Sequence, residues 1–556
     1  FDEDICRYYP YGALLSQVLG LTTVDSEGQS GLESRYEDVL RGTEGSYLRQ
    51  VDARNRQLDG TEGWYIPSQQ GCGLVLTIDA EIQEMVEKAM RECIEVNQAQ
   101  SVICLVSDVK TGAILAMCMN PCYDPNDPPR NDAETLTELM RLTAISDVYE
   151  PGSTFKILTA ASALDSGVTT PQDSFYCSAK ITVDGDTIRC WGRPHGAETM
   201  ADGLKNSCNP VFVELALRMG TDTFYRYLTA FGLGKKTGID LPGESPGILI
   251  TSRNVKRVDL ARIGFGQSVA LTPIQMIMAA NSVINGGKLM KPYIVSEIQT
   301  PDGETLEHFH PTVMAAPIRP ETSDTMRLLL ERVVSEGGGK NAAIAGYRIG
   351  GKTGTAQVYK NGRVVRDTHI GSFYGFAPVN DPQVSILVIV KEADVPIDYG
   401  GTTAAPFARQ IMQEMLPYLG IEPENDEKDE EIEVPALKGL TIGDAKRKLS
   451  QVGLESVTDD ANTVVLDQLP PAGAKLVKGG HVMLYTAGSE ELTPEELVCV
   501  PDLTGLGDVD CARLVRQRGL MMSMTGQGLC IEQSPAAGEY VQPGTTIFLL
   551  MAGDDE

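Results

Sequence analysis

No run of about eighteen consecutive apolar residues occurs in this 556-residue sequence, so no segment reads as a membrane-spanning helix. The residues from Phe1 onward also lack the basic-then-apolar order of a secretory signal. Any targeting or anchoring segment is therefore expected upstream of them. Positive charge is scarce: 47 Lys and Arg face 76 Asp and Glu, a net charge of −29. That excludes nucleic acid as a partner, because a phosphate polymer needs a basic footprint. Histidine is scarce too. The five are dispersed, which speaks against a metal cluster, and His308 and His310 alternate as on a strand and read as surface residues. Twelve cysteines are present, but none stand in paired CxxC frames, and that spacing argues against a structural zinc site. Buried free cysteines are common, so the thiols do not fix the redox compartment.

What is present describes a folded, multidomain chain. Hydrophobic residues make up 42% and charged residues 22%, ordinary values for a globular protein. The length calls for about three to five domains. Residues 1–70 are rich in Gly, Tyr and charge and read as part of an irregular domain. From Gly71 the pattern sharpens: Leu74 to Thr77 is strand-like and Asp79 is an N-cap. Behind it Ile82, Val86, Ala89, Met90 and Cys93 keep helical spacing. Two strands follow, Val102 to Val106 and Ala113 to Met117, joined by a turn from Asp108 to Gly112. A mixed α/β domain over 71–420 is the expectation.

The stretch Glu422 to Glu433 carries eight acids and reads as a solvated linker over 421–433, with few contacts crossing it. Beyond lies an internal repeat. Val434-Pro435-Ala436-Leu437-Lys438-Gly439-Leu440 matches Val500-Pro501-Asp502-Leu503-Thr504-Gly505-Leu506, and Gln468 to Gly473 matches Gln533 to Gly538. Two small α/β modules are expected, at 434–487 and 498–552, joined by an acidic linker at 488–497.

Three short motifs carry chemistry: Ser153-Thr154-Phe155-Lys156, Ser207-Cys208-Asn209 and Lys352-Thr353-Gly354-Thr355. An S-x-x-K with an S-x-N and a K-T-G is the signature shared by penicillin-binding proteins and class A β-lactamases. Each element alone is weak. Ser107-Asp108-Val109-Lys110, Ser252-Arg253-Asn254, and K-T-G at Lys110 and Lys236 fit as well. Context separates them. Ser153 precedes an apolar helix beginning Ile157-Leu158, whose first turn places Ser153 and Lys156 on one face. Lys156 serves as a base if burial and a neighbouring cation, for which Lys352 is the candidate, destabilise its ammonium. Ser107 and Lys110 fall at a turn instead. The plain alternatives make Ser153 an N-cap serine and Asn209-Pro210 the ordinary opening of a helix that stops at Gly220. Glycines at 350, 351 and 354 read as room for a ligand backbone along a strand edge.

Asp184-Gly185 predicts a two-residue hairpin turn. Its register sets Cys190 opposite Ala179, two positions from Cys177, as diagonal neighbours about 7–8 Å apart. A disulfide between Cys177 and Cys190 is then within a small adjustment, and the plain alternative is two unrelated thiols.

With these residues in view the chain resembles the class B penicillin-binding proteins along nearly its whole length. Arg7 to Gly12, Gly31-Leu32-Glu33 and Leu76 to Asp79 resemble the family's lead into its catalytic domain. Glu150 to Lys156, Gly264-Phe265-Gly266-Gln267 and Gly351 to Gln357 resemble its core. Lys205 to Pro210 resembles the sporulation-specific branch more than the vegetative division branch, and the two C-terminal units resemble PASTA repeats.

The resemblance implies an α/β multidomain chain. Its parts are a serine β-lactamase-like transpeptidase domain with a five-stranded antiparallel sheet flanked by helices, a partial N-terminal pedestal, and two PASTA modules. It implies Ser153 as nucleophile, Lys156 as base, Ser207, Asn209 and Lys352 as catalytic partners, and Cys208, Thr353, Gly354 and Thr355 as substrate-binding residues. The Ser153 and Thr355 backbone N–H groups would form an oxyanion hole. No metal or organic cofactor is implied. The implied activity is D,D-transpeptidation of peptidoglycan stem peptides through an acyl-enzyme that β-lactams trap, in septal or spore-cortex wall synthesis. Implied partners are a membrane glycosyltransferase and division or sporulation proteins, on the extracytoplasmic face of a membrane holding an upstream anchor helix. The rivals are a D,D-carboxypeptidase, a β-lactamase, and a non-catalytic wall-binding scaffold.

Overall fold

The computed structural model describes residues 7–43, 45–48, 64–192, 194–360, 363–423, 431–458, 464–477, 479–486, 498–518, 520–526, 528–537, 540–541 and 545–552. Asp79 caps helix α1 (Ala80–Asn97) by accepting from the N–H groups of Glu81 and Ile82, and the expected stripe from Ile82 to Cys93 is buried. Strands β1 (Ser101–Asp108) and β2 (Ile114–Asn120) follow. A 3-10 turn, Gly152–Phe155, runs into helix α2 (Lys156–Asp165). A small β region comes next: β3 (Ser174–Cys177), the hairpin β4 (Lys180–Val183) and β5 (Asp186–Arg189), then β6 (Gly196–Thr199), which pairs with β3. Helices α3 (Asn209–Ala230), broken at Gly220, and α4 (Pro273–Ile284) precede strands β7 (Gly350–Lys360), β8 (Arg363–Ala377) and β9 (Val384–Lys391). Helix α5 (Ala405–Tyr418) closes the domain.

The main sheet is five-stranded and antiparallel, in the order β7-β8-β9-β1-β2. Alternate residues feed two cores. Ile103, Leu105, Tyr374, Leu387 and Ile389 meet the core that also takes Ile157 and Leu158 of α2 and Phe212 of α3. Val102, Cys104, Val106, Phe373 and Val388 meet the core holding α1 and α5. A sheet covered on both faces explains why Val384-Ser385-Ile386-Leu387-Val388-Ile389-Val390 reads as an almost continuous apolar run. The edge strand β7 keeps one side unpaired within the sheet.

The N-terminal segment is anchored through buried polar contacts. Glu33 pairs with Arg7 at 2.7 Å, Glu87 of α1 accepts from the Leu15 N–H at 2.8 Å, and Gln17 donates to the carbonyls of Met119 and Pro121. No helix among the described residues is long and apolar enough to cross a membrane.

At the end of the acidic stretch, Glu431–Glu433 pairs antiparallel with Lys475–Val477, so these three residues depart from the solvated-linker expectation. The apolar pair Ile432 and Leu476 sits at the centre of that ladder. Contacts do cross the boundary. Arg409 donates to the Lys475 carbonyl at 2.8 Å, Lys340 pairs with Glu455 at 3.5 Å, and Asn341 accepts from the His481 N–H at 3.3 Å. The expectation of few contacts came from charge in the linker and overlooked the polar surfaces on either side.

The sequence repeat is a structural repeat. In the first copy Gln468 Oε1 accepts from the Leu437 N–H at 2.7 Å. In the second, Gln533 Oε1 accepts from Leu503 N–H at 2.7 Å, and Met521–Gly526 pairs parallel with Thr546–Ala552.

Candidate active site

Three segments converge where the 3-10 turn meets β7. Gly152 holds φ +53°, and a Cβ there would stand 2.6 Å from the Thr355 carbonyl oxygen. The backbone at Gly152 and Ser153 is thus pressed against the third motif, an approach open to glycine. The turn is 3-10 rather than the α-helical first turn expected at Ser153, and i and i+3 still share a face in that geometry. Ser153 is half-buried and Lys156 fully buried.

Lys156 Nζ donates to the Ser207 carbonyl at 2.6 Å, to Ser207 Oγ at 3.2 Å and to Asn209 Oδ1 at 2.7 Å. Lys352, also fully buried, donates to the same Ser207 Oγ at 3.0 Å and to the Thr353 carbonyl at 3.0 Å. Burial disfavours both ammoniums. It pulls Lys156 down to about 7, and it holds Lys352 well below its ordinary value with help from the Lys156 charge. One hydroxyl between two desolvated amines is a route for a proton.

The second motif is held from outside. Ser207 sits at φ +55°. Asn209 is not the N-cap: Cys208 holds that position, and the Asn209 side chain instead joins Lys156 to the Arg189 carbonyl, which accepts from Nδ2 at 3.0 Å. Trp191 Nε1 donates to the Asn206 carbonyl at 2.9 Å, and Asn206 Nδ2 donates to Glu198 at 3.2 Å. The small β region is therefore the seat of this motif. Arg189 at the end of β5, Trp191 just after it and Glu198 in β6 carried no sequence signal, because each reaches the motif across the fold rather than at a fixed spacing.

The glycines of β7 require a correction. A Cβ at Gly350 would lie 2.2 Å from the Phe376 ring, at Gly351 2.6 Å from the Tyr374 carbonyl, and at Gly354 2.4 Å from Ser372 Oγ. The space a Cβ would take at each is filled by the protein's own atoms. Thr355 Oγ1 accepts from the Gly400 N–H at 3.3 Å.

The rival motifs are dispersed. Ser107 is buried in β1, where Oγ donates to the Asp108 carbonyl and accepts from Asn281, while Lys110 is exposed and pairs with Asp381 at 2.6 Å. Thr237 is tied to Glu244, and Ser252 to Asn254 form a turn.

The hairpin has the expected register: Val183 faces Asp186, and the Cys190 N–H donates to the Ala179 carbonyl at 2.8 Å. Cys177 and Cys190 are both free thiols. Their sulfurs do not stand as an isolated pair. The ligand atoms of Cys177, Cys190, His195 and Cys208 all lie within 4.8 Å of one another, which departs from the expectation that dispersed Cys and His make no metal-ligand group. Contact between Cys190 and Cys208 pulls the first thiol below its ordinary value and pushes the second above it.

The penicillin binding protein transpeptidase domain family matches residues 102–413, the penicillin-binding protein dimerisation domain family 1–76, and the PASTA domain family 432–488 and 498–553. Stage V sporulation protein D of Bacillus subtilis is 38% identical over 500 residues, spanning 88% of this chain and 77% of that protein. Peptidoglycan D,D-transpeptidase FtsI of Escherichia coli is 31% identical over 425 residues, 76% of this chain and 69% of that one. Penicillin binding protein 3 from Mycobacterium tuberculosis, solved in complex with aztreonam, superposes with a TM-score of 0.67 at 28% identity, covering 75% of this chain and 91% of that chain. With its transpeptidase domain, dimerisation domain and two PASTA repeats, the chain belongs to the class B penicillin-binding proteins.

Proposed function

We propose that Ser153 is the nucleophile of a D,D-transpeptidase that cross-links peptidoglycan, with Lys156 as its base. The observation that carries this reading is that Lys156, whose burial pulls it down to about 7, is positioned one 3-10 turn from Ser153 by acceptors of the second motif. Ser153 Oγ attacks the carbonyl of the penultimate D-Ala and its proton passes to the Lys156 amine. Ser207, hydrogen-bonded to both lysines, relays the proton to the departing nitrogen as the C–N bond breaks and the terminal D-Ala leaves. An amine of a neighbouring stem then attacks the ester and frees Ser153. Backbone N–H groups of Ser153 and Thr355 receive the oxyanion, a pairing that fits the close approach at Gly152. Asn209 and Cys208 line the donor strand, while Thr353, Gly354 and Thr355 on edge strand β7 take the substrate carboxylate with the Lys352 charge behind them.

In this reading the chain works on the extracytoplasmic side of a membrane, beside a membrane glycosyltransferase and division or sporulation proteins. β-Lactams acylate Ser153. Incubation with a fluorescent penicillin followed by intact-mass measurement tests the assignment. A penicilloyl adduct on the Ser153 peptide that persists for many minutes supports the transpeptidase. Rapid turnover of excess penicillin favours a β-lactamase, and absence of any adduct favours a scaffold.

A further inference from the structure

The structure points to a second site behind the second motif. We propose that Cys177, Cys190, His195 and Cys208 form a tetrahedral Cys3His site for a divalent soft-ligand cation of the zinc class. Their ligand atoms lie within 4.8 Å of one another, and Cys190 Sγ stands 3.9 Å from His195 Nδ1. A tetrahedron with metal–sulfur bonds of about 2.3 Å has edges of about 3.8 Å, so the four donors need to close by less than about 1 Å. Among the described residues this is the single group of three or more Cys, His, Asp or Glu side chains so gathered.

The surroundings suit an imidazole ligand. Cys177 and Cys208 are buried, and Cys190 and His195 partly so. Glu198 is buried and its Oε1 has no hydrogen-bond partner, although it lies 3.8 Å from His195 Nδ1. Cys190 Sγ and Glu198 Oε1 both face Nδ1, so a ring that turns to bind the metal through Nε2 presents Nδ1–H to Glu198, and the carboxylate then fixes the ring. Thiolate donors with one imidazole select zinc over hard cations such as magnesium or calcium.

The four ligands come from four segments: the end of β3, the strand end after β5, the following loop, and the residue that caps α3. Cys208 is the middle residue of the second motif, so a metal here ties that motif to the small β region that already holds Asn206 and Asn209. Binding releases the three thiol protons: the cation and three thiols with one neutral imidazole give a complex of charge −1 and three protons.

The test uses the full chain, reduced with a phosphine and stripped with a chelator under argon, then titrated with cobalt(II) alone. One equivalent is expected to give the strong visible bands of tetrahedral cobalt with thiolate charge transfer in the near ultraviolet, and zinc is expected to erase them. Native mass spectrometry of the zinc form should show one bound metal and three fewer alkylatable thiols. Cys177→Ser and His195→Ala, residues outside the catalytic machinery, should abolish the visible bands, and Glu198→Gln should weaken binding about 10-fold. Weak octahedral bands, an unchanged thiol count, or wild-type bands in either ligand variant would overturn the site. The thiol count on the unmodified chain decides the matter if a variant fails to fold. Penicillin labelling by the same sample separates failure of this site from failure of the transpeptidase reading.

Discussion

Lys156 Nζ donates to Asn209 Oδ1 at 2.7 Å, which ties the start of α2 to the start of α3. The bond places the amine between the nucleophile's turn and the second motif, and it explains why the Asn209 side chain is not spent on a helix cap. Removing the amide should therefore act on the base rather than on helix stability. Asn209→Ala is expected to slow penicillin acylation about 100-fold or more, while thermal unfolding falls by a few degrees at most. Stopped-flow acylation alongside a melting curve checks both halves.

The pH profile follows from Lys156. Burial lowers its pKa from 10.5 to about 7, so the amine is neutral above pH 7 and charged below. Acylation by penicillin should rise with pH through an apparent midpoint near 7 and level above it, falling tenfold per unit on the acid side. The stability linkage runs the same way. A charged Lys156 costs most below about pH 7, and that cost is gone above 10.5, so folding gains stability as pH rises across this window. Lys156→Met should flatten the gain and abolish acylation. A rate profile flat from pH 5 to 9 would remove Lys156 as the base.

Ser153→Ala is expected to abolish covalent labelling, whereas Ser107→Ala keeps it. The second change removes a buried hydroxyl that accepts from Asn281, so it should destabilise by about 1 kcal/mol without touching the reacting groups. Labelling gels and denaturant melts of both variants separate the two serines.

Much of this arrangement was legible in the sequence, and the rest has a physical reason for being hidden. The Asp79 cap, the stripe from Ile82 to Cys93 and the Asp184-Gly185 hairpin are local patterns, and each stands where periodicity or turn chemistry put it. The motifs at Ser153, Ser207 and Lys352 were separable from their imitators because helix and turn context is also local. Distance defeats such reading. Cys190 and His195 are five residues apart, but Cys177 and Cys208 lie thirteen or more residues from them, and a hairpin and two loops bring the four together. Gly350 and Gly354 looked like ligand clearance because a sequence does not show Phe376 or Ser372 across the strand.

Gly152→Ala isolates the contact between the first and third motifs. The new methyl would require φ +53° of an L-residue and would stand 2.6 Å from the Thr355 carbonyl oxygen. The left-handed conformation costs about 1–3 kcal/mol, and relief of the clash moves Ser153 away from Thr355. Acylation should drop more than about 100-fold, because misplacement near 1 Å is enough for that loss. Gly167→Ala, also at positive φ but with open space around it, is the control: it should lose stability and keep its acylation rate.

Deleting everything after Leu419 tests the contacts between the first repeat and the catalytic domain. Polar contacts are lost at Arg409, Lys340, Asn341 and Tyr347, whose Oη donates to the Ile421 carbonyl at 3.1 Å, and buried Ile421 leaves the core that holds α1 and α5. The Lys340–Glu455 pair is partly exposed and contributes at most about 1 kcal/mol. The hydrogen bonds to backbone add about 1 kcal/mol each. Asn341 keeps its other bond, from Nδ2 to the Gly401 carbonyl at 2.8 Å, and Gly401 stands beside Thr353. The truncated protein should therefore melt several degrees lower yet acylate within about threefold of the full chain. Asn341→Ala in the full chain removes the bond to Gly401 as well and should slow acylation more than the truncation does. Equal rates in those two proteins would show that Asn341 serves the repeat and not the third motif.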